Sequence, residues 1–128
     1  MLTHEVGSAP LHAVFGIAIM MILTLGAIQV ALAVYSGNVV RASAHEAARA
    51  AIEVDGSPDD ARRAAAEVLR RSARNLVDDA SISIARRDRG AGSVVIVEVR
   101  ARHKTPGLVP LTFPIRARAS ALVEELPE

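Results

Sequence analysis

The chain has 128 residues and neither cysteine nor tryptophan. Disulfides therefore add nothing to its stability, and cysteine usage says nothing about a redox compartment. Aromatic residues amount to 2% of the sequence, one Tyr and two Phe. Phe15 lies in an apolar run, which leaves Tyr35 and Phe113 for the rest of the chain. Any core outside that run is therefore aliphatic, and there is no aromatic platform on which nucleic-acid bases could stack. Lys104 is the single lysine, the other positive charges are arginine, and the net charge is +1. That balance creates no strong field of either sign.

Charge is also missing locally. Ala13 to Val34, AVFGIAIMMILTLGAIQVALAV, runs 22 residues with Thr24 and Gln29 as its only polar side chains. At about 1.5 Å per residue the run spans roughly 33 Å, the thickness of a bilayer core. It shows no polar face, as a soluble helix would, and it exceeds the roughly 7 to 15 residues of a signal-peptide core. We therefore read residues 13–35 as a retained transmembrane helix, preceded by a short leader-like segment at 1–12. Arg41 and Arg49 follow the run and no Lys or Arg precedes it. Taken alone, that two-charge difference would place the C-terminal part in the cytoplasm.

Residues 36–128 form a small α+β domain in this reading. No strong breaker follows Val34 until DGSP at 55–58, so the membrane helix is expected to continue to about Val54. Val39, Val40, Ala44, Ala47, Ala48, Ala51 and Val54 make a stripe of mostly small side chains on this extension. Gly56 fits a helix end through the positive φ that glycine tolerates, and Ser57 followed by Pro58, Asp59 and Asp60 reads as the cap of a second helix. The apolar face expected for that helix is Ala61, Ala64, Ala65, Val68, Leu69, Ser72, Ala73, Leu76 and Val77. Its arginines are expected on the other side, a solvated face that could also meet anionic headgroups or an acidic partner.

From Ala80 the apolar period changes to two. SISIARR, the turn-like DRGAGS and VVIVEVRAR predict a hairpin, and IRARASALVEE predicts a third strand, with one sheet face on the second helix and the other in water. The fold class is α+β: a long N-terminal transmembrane helix continuing as an amphipathic helix, a second helix, then a three-stranded antiparallel sheet. A domain of about 93 residues would bury little more than about 60% of its unfolded surface, so modest stability is expected.

The chemical candidates are few. His45 and Glu46 begin an H-E-x-x-H pattern, but Arg49 occupies the second ligand position, and a guanidinium there repels a divalent cation. Glu46 and Arg49, three apart on a helix, suit a surface ion pair instead. His4, His12 and His103 are scattered, no Ser lies in a nucleophile elbow, and GAGS at 90–93 lacks the Lys of a phosphate loop. We expect no catalytic residue, no metal, no cofactor, no small-molecule substrate and no nucleic-acid partner. Ala27 with Ala31, and Ala33 with Gly37, are small pairs that permit close helix packing in a membrane. Gln29 is costly in lipid without a partner.

The apolar N-terminal helix, the stretch NVVRASAHEAARAA and the ending PLTFPIRARASALVEE together resemble the TadE-like family, minor pilins or pseudopilins of tight-adherence (Flp) pilus systems. Ala44, Glu46, Ala48 and Arg49 fall in the alanine-rich A-R-E-G-A-R-A-A pattern of that family, with His45 and Ala47 in place of its first Arg and its Gly. Pro110, Leu111 and Glu124 resemble its C-terminal pattern. Gly7 and Ser8 match a prepilin-type processing junction, and His12 stands where the family carries a Glu. That Glu would neutralise the terminal amine of a neighbouring subunit; His cannot.

The resemblance implies a single pass through a bacterial cytoplasmic membrane, an extracytoplasmic C-terminal domain, and contact with other pilus or secretion subunits through helix packing. The function expected is a non-enzymatic part in pilus assembly. The alternative is a membrane-tethered binding or regulatory module of the cell envelope that enters no filament.

Overall fold

The computed structural model describes residues 8–53, 56–90, 92–105 and 110–123. It contains α1 (Ser8–Ile52), α2 (Pro58–Ser72), β1 (Val77–Arg89), β2 (Gly92–Lys104) and β3 (Thr112–Val123). The α+β class and the order of elements are as expected. Gly7, Val54 and Glu124 lie outside the described residues, as does Ala91 of the expected GAGS turn.

By contacts the chain divides into two units, residues 1–31 and 32–128. The described part of the first is helical throughout. Its glycines cost helix stability, about 1 kcal/mol each against alanine, but the aliphatic residues around them favour the helix. Thr24 directs its hydroxyl back to the Met20 carbonyl at 2.8 Å, which removes one of the two polar groups from the surface of the apolar run.

The second unit, here called the head, is built on a sheet in the order β1-β2-β3, all pairs antiparallel. β2 is central. Ser93, Val95, Val97, Val99, Ala101 and His103 of β2 are all buried, because strand side chains alternate and every second one faces the helices. Val97 sits opposite Ile84 and Ala119, and Val99 opposite Ile82 and Ala117. Over this face lie Val39, Val40, Ala44, Ala47 and Ala48 of α1 and Ala61, Ala65 and Leu69 of α2, all in one apolar cluster. Both helices therefore cover the sheet, where the sequence had suggested α2 alone. Nine of the fifteen buried apolar residues among those described are alanine. Such a core gains from close approach of backbones rather than from bulk.

Several boundaries shift from the expectation. α1 stops at Ile52, and α2 stops at Ser72 rather than running on toward Val77, which starts β1. Ala73 closes α2 with its N–H on the Leu69 carbonyl. Ser72 is exposed, not part of the apolar face, and its carbonyl accepts a hydrogen bond from the Tyr35 hydroxyl at 3.1 Å. The residues read as a long DRGAGS turn are mostly strand, with Gly90 at φ +49° between β1 and β2. β3 starts at Thr112, three residues before the expected Ile115. Near the other end of β1 the register slips between Asp78 and Ser81, and Asp79 takes φ 52°, a conformation Asp tolerates better than most residues.

The cap of α2 is as the sequence implied. Ser57 accepts from the Asp60 N–H at 3.1 Å, and the Asp60 carboxylate accepts from the Ser57 N–H and hydroxyl at 3.1 and 2.6 Å. Gly56 is needed for a different reason from the one expected. It is not among the residues at positive φ. A Cβ placed there would run into the Ala50 carbonyl oxygen and lie 2.9 Å from that of Glu53. Gly56→Ala is therefore expected to destabilise the head by about 1 to 3 kcal/mol through a clash that only backbone movement relieves. Urea unfolding of the full chain in non-ionic detergent, followed by far-UV circular dichroism, checks this. An unchanged midpoint would mean that the α1–α2 link has room.

Candidate functional site

Three surfaces could act on something outside the chain. The first is the apolar part of α1. Val14, Phe15, Ile17, Met20, Met21 and Ile22 are 61 to 70% exposed, and none of the most apolar window of this helix is buried by the protein itself. By length and composition α1 is long and apolar enough to cross a membrane. Leaving this much aliphatic surface in water costs on the order of 25 cal/mol per Å², so a non-aqueous surrounding is its stable environment. Within the run the Gln29 amide has no hydrogen-bond partner among the described residues. Ala27 and Ala31 are exposed, whereas Ala33 and Gly37 are half-buried. A Cβ added to Gly16, Gly26 or Gly37 would meet nothing within 4 Å, so no contact among the described residues requires glycine there. Ser8 opens α1 and His12 lies on its exposed first turns.

The second surface is the motif at 44–49, which splits in two. Ala44, Ala47 and Ala48 are 0, 0 and 3% exposed and pack in the core. His45, Glu46 and Arg49 face outward. The ion pair expected between Glu46 and Arg49 does not form. Arg49 reaches forward to Glu53 at 3.8 Å instead, since side chains at i and i+4 also share one helix face. Among the described residues no group of three or more His, Cys, Asp or Glu is placed to hold a metal ion.

The third surface is the sheet face turned away from the helices. Along β2 it carries Val94, Ile96, Glu98, Arg100, Arg102 and Lys104, with Arg87 and Ala85 of β1 on one side and Arg116, Arg118, Ser120 and Leu122 of β3 on the other. Glu98 is hydrogen-bonded by Arg118 at 2.8 Å and by Arg100. Arg102 pairs with Asp79 and Lys104 with Asp78, both at 3.5 Å.

No match to this chain was found among protein-family models, curated proteins or solved structures. The reading of its function therefore rests on these surfaces and on the sequence.

Within the head, between β2 and the part of α1 that belongs to it, there is a buried polar contact. His103 is fully buried, its Nδ1 is 2.9 Å from the Ser36 hydroxyl, and its ring stacks obliquely on Phe113 with centroids 4.7 Å apart. Ser36 already donates its single proton to the Leu32 carbonyl at 2.9 Å. Its oxygen must therefore accept from His103, which assigns a proton to Nδ1. Nε2 has no partner among the described residues. The sequence reading treated His103 as one scattered histidine. The signal that would have placed it was the alternation of β2, since His103 shares its parity with Val95, Val97, Val99 and Ala101.

Three carboxylates are held below their ordinary range. Hydrogen bonds from Arg118 and then Arg100 lower Glu98, those from Arg70 and then Arg71 lower Glu67, and those from the Ser57 hydroxyl and then its N–H lower Asp60. A depressed carboxyl binds fewer protons folded than unfolded, so its stabilisation is complete above the ordinary values of 4.5 for Glu and 3.8 for Asp. It is lost as pH falls through and below them. The urea midpoint of the head should therefore fall between about pH 5 and pH 3, and Glu98→Gln should fall less steeply. Parallel pH profiles for the two chains would show that the Glu98 cluster contributes nothing.

Proposed function

We propose that this chain is a non-enzymatic, membrane-anchored TadE-like subunit, a minor pilin or pseudopilin that takes part in assembling a tight-adherence pilus or a related secretion apparatus. The observation that carries the reading is the apolar stretch of α1, whose most apolar window is not buried among the described residues. A bilayer would hold it. Among the described residues Gln29 has no partner and no contact requires glycine at Gly16, Gly26 or Gly37, which favours a helix that packs laterally against other membrane helices. In this reading the N-terminus lies in the cytoplasm and the head outside the cytoplasmic membrane.

A tagged full-length copy, extracted in gentle detergent, should bring the other pilus components with it. A solitary monomer, together with normal piliation in a deletion strain, would remove the reading. His12 in place of the expected Glu favours a second one, a membrane-tethered binding or regulatory module that never enters a polymer. The mass of the mature N-terminus separates the two. Cleavage after Gly7 marks pilin-type processing, and an intact Met1 leaves the tethered module level with the pilin reading.

A further inference from the structure

The outward face of the sheet has an arrangement that its own residues do not balance. Arg100 of β2 and Arg116 of β3 are direct cross-strand neighbours, and like charges so placed are destabilising. Arg100 is committed to Glu98, and so is Arg118. Among the described residues no carboxylate pairs with Arg116, nor with Arg87 toward the other end of the face. Two shallow depressions connect these groups. One, of about 310 Å³, is lined by Glu98, Arg100, Arg116, Ala117 and Arg118. The other, of about 260 Å³, is lined by Arg87, Val94, Ile96, Arg118 and Ser120. Leu122, 69% exposed, stands beside Val94 at the second. Alternating small and large side chains produce this relief, since Ile96 is flanked by Ala85 and Ser120.

We propose that this face docks a protein segment that carries carboxylates beside aliphatic side chains, contributed by another subunit of the assembly. Arg87 and Arg116 supply the unmatched charge, and Val94, Ile96 and Leu122 supply the apolar contact. Same-face positions on a strand repeat every two residues, about 6.6 Å. That spacing matches alternate side chains of an extended acidic segment. Nucleic acid is disfavoured because the face offers no aromatic ring for stacking. A bare phosphate surface would leave the aliphatic end without a partner. The nature of the partner, a neighbouring subunit, rests on the assembly role proposed above; the binding chemistry does not.

The test uses the full chain in non-ionic detergent micelles and a fluorescent decapeptide of alternating Glu and Leu, with a Lys and Leu peptide and protein-free micelles as controls. Fluorescence anisotropy should show saturable binding of the acidic peptide only. Binding should weaken at least tenfold in Arg87→Glu/Arg116→Glu, two exposed positions whose reversal breaks no internal ion pair, and also in Leu122→Ser. Circular dichroism confirms that each variant keeps its fold. Absence of saturable binding, or binding that these variants leave unchanged, overturns the proposal. So does displacement of the peptide by phosphatidylglycerol or inorganic phosphate at equal concentration, which would identify the face as a phosphate site. Peptide binding without co-purifying pilus components would sink the assembly role and spare the docking face. Co-purification without peptide binding would do the reverse.

Discussion

His103→Ala is expected to lower the stability of the head by about 3 kcal/mol. Two losses add together. The ring is fully buried and packs on Phe113, so its removal leaves a cavity among residues too small to close it. The hydrogen bond from Nδ1 to Ser36 disappears. That bond is the one that ties β2 to Ser36 of α1. Ser36→Ala should cost less, about 1 to 3 kcal/mol, because the ring stays but its N–H loses a buried acceptor.

A double-mutant cycle carries the argument further. If the two groups are partners, His103→Leu should cost less in the Ser36→Ala background than in the parent chain, by about 1 kcal/mol. Hydrogen exchange of the β2 amides in detergent gives each free energy. Strict additivity would mean that the contact contributes nothing of its own and that packing alone fixes the ring.

Much of the fold could be read from the chain because its local signals agree with one another. Ser57, Pro58, Asp59 and Asp60 state the start of α2 in chemistry that needs no tertiary context; the expected cap forms, and Asp60 completes it as a capping box. The alternation from Val95 to Ala101 needs only one buried face to become a central strand. What stayed hidden depends on contacts between elements. Gly56 looked like a left-handed cap, but its lack of a side chain answers to the Ala50 and Glu53 carbonyls, whose positions no sequence pattern gives. The expected pairing of Arg49 with Glu46 fails for a related reason. Glu46 and Glu53 are both within one helical turn of it, and the choice of Glu53 is made by rotamers. The sheet face in water was expected, but not the grouping of arginines on it, because they come from three strands and only the register sets Arg100 against Arg116. Leu76 and Val77 were assigned to α2 since they continue its period. The chain turns there because the Leu76 and Val77 N–H groups both bond the Ala73 carbonyl, an arrangement that the apolar spacing does not announce.

The alanine-rich stretch at 44–49 gives the second large effect, and it separates the two halves of that motif. Ala47 is fully buried between α1 and the sheet, so Ala47→Leu forces several methylenes into a space closed by other small residues. The expected cost is about 1 to 3 kcal/mol, and Ala44→Leu should match it. Glu46→Ala should stay within about 0.5 kcal/mol, because Glu46 is exposed and has no ion pair among the described residues. Arg49→Ala should do likewise, since its pair with Glu53 is long and both side chains are mostly in solvent. Urea unfolding of the four variants in detergent ranks them. If the stretch is a packing seam, the ranking follows burial, with the alanines far above the charged pair. Equal losses at Glu46 and Ala47 would show that the outward residues are already engaged by something in the purified particle. A second copy in the same micelle is the first occupant to test, by repeating the series at a protein-to-detergent ratio low enough to isolate single chains. Restoration of the burial ranking on dilution would place that contact between copies; persistence of the equal losses would place it within one chain.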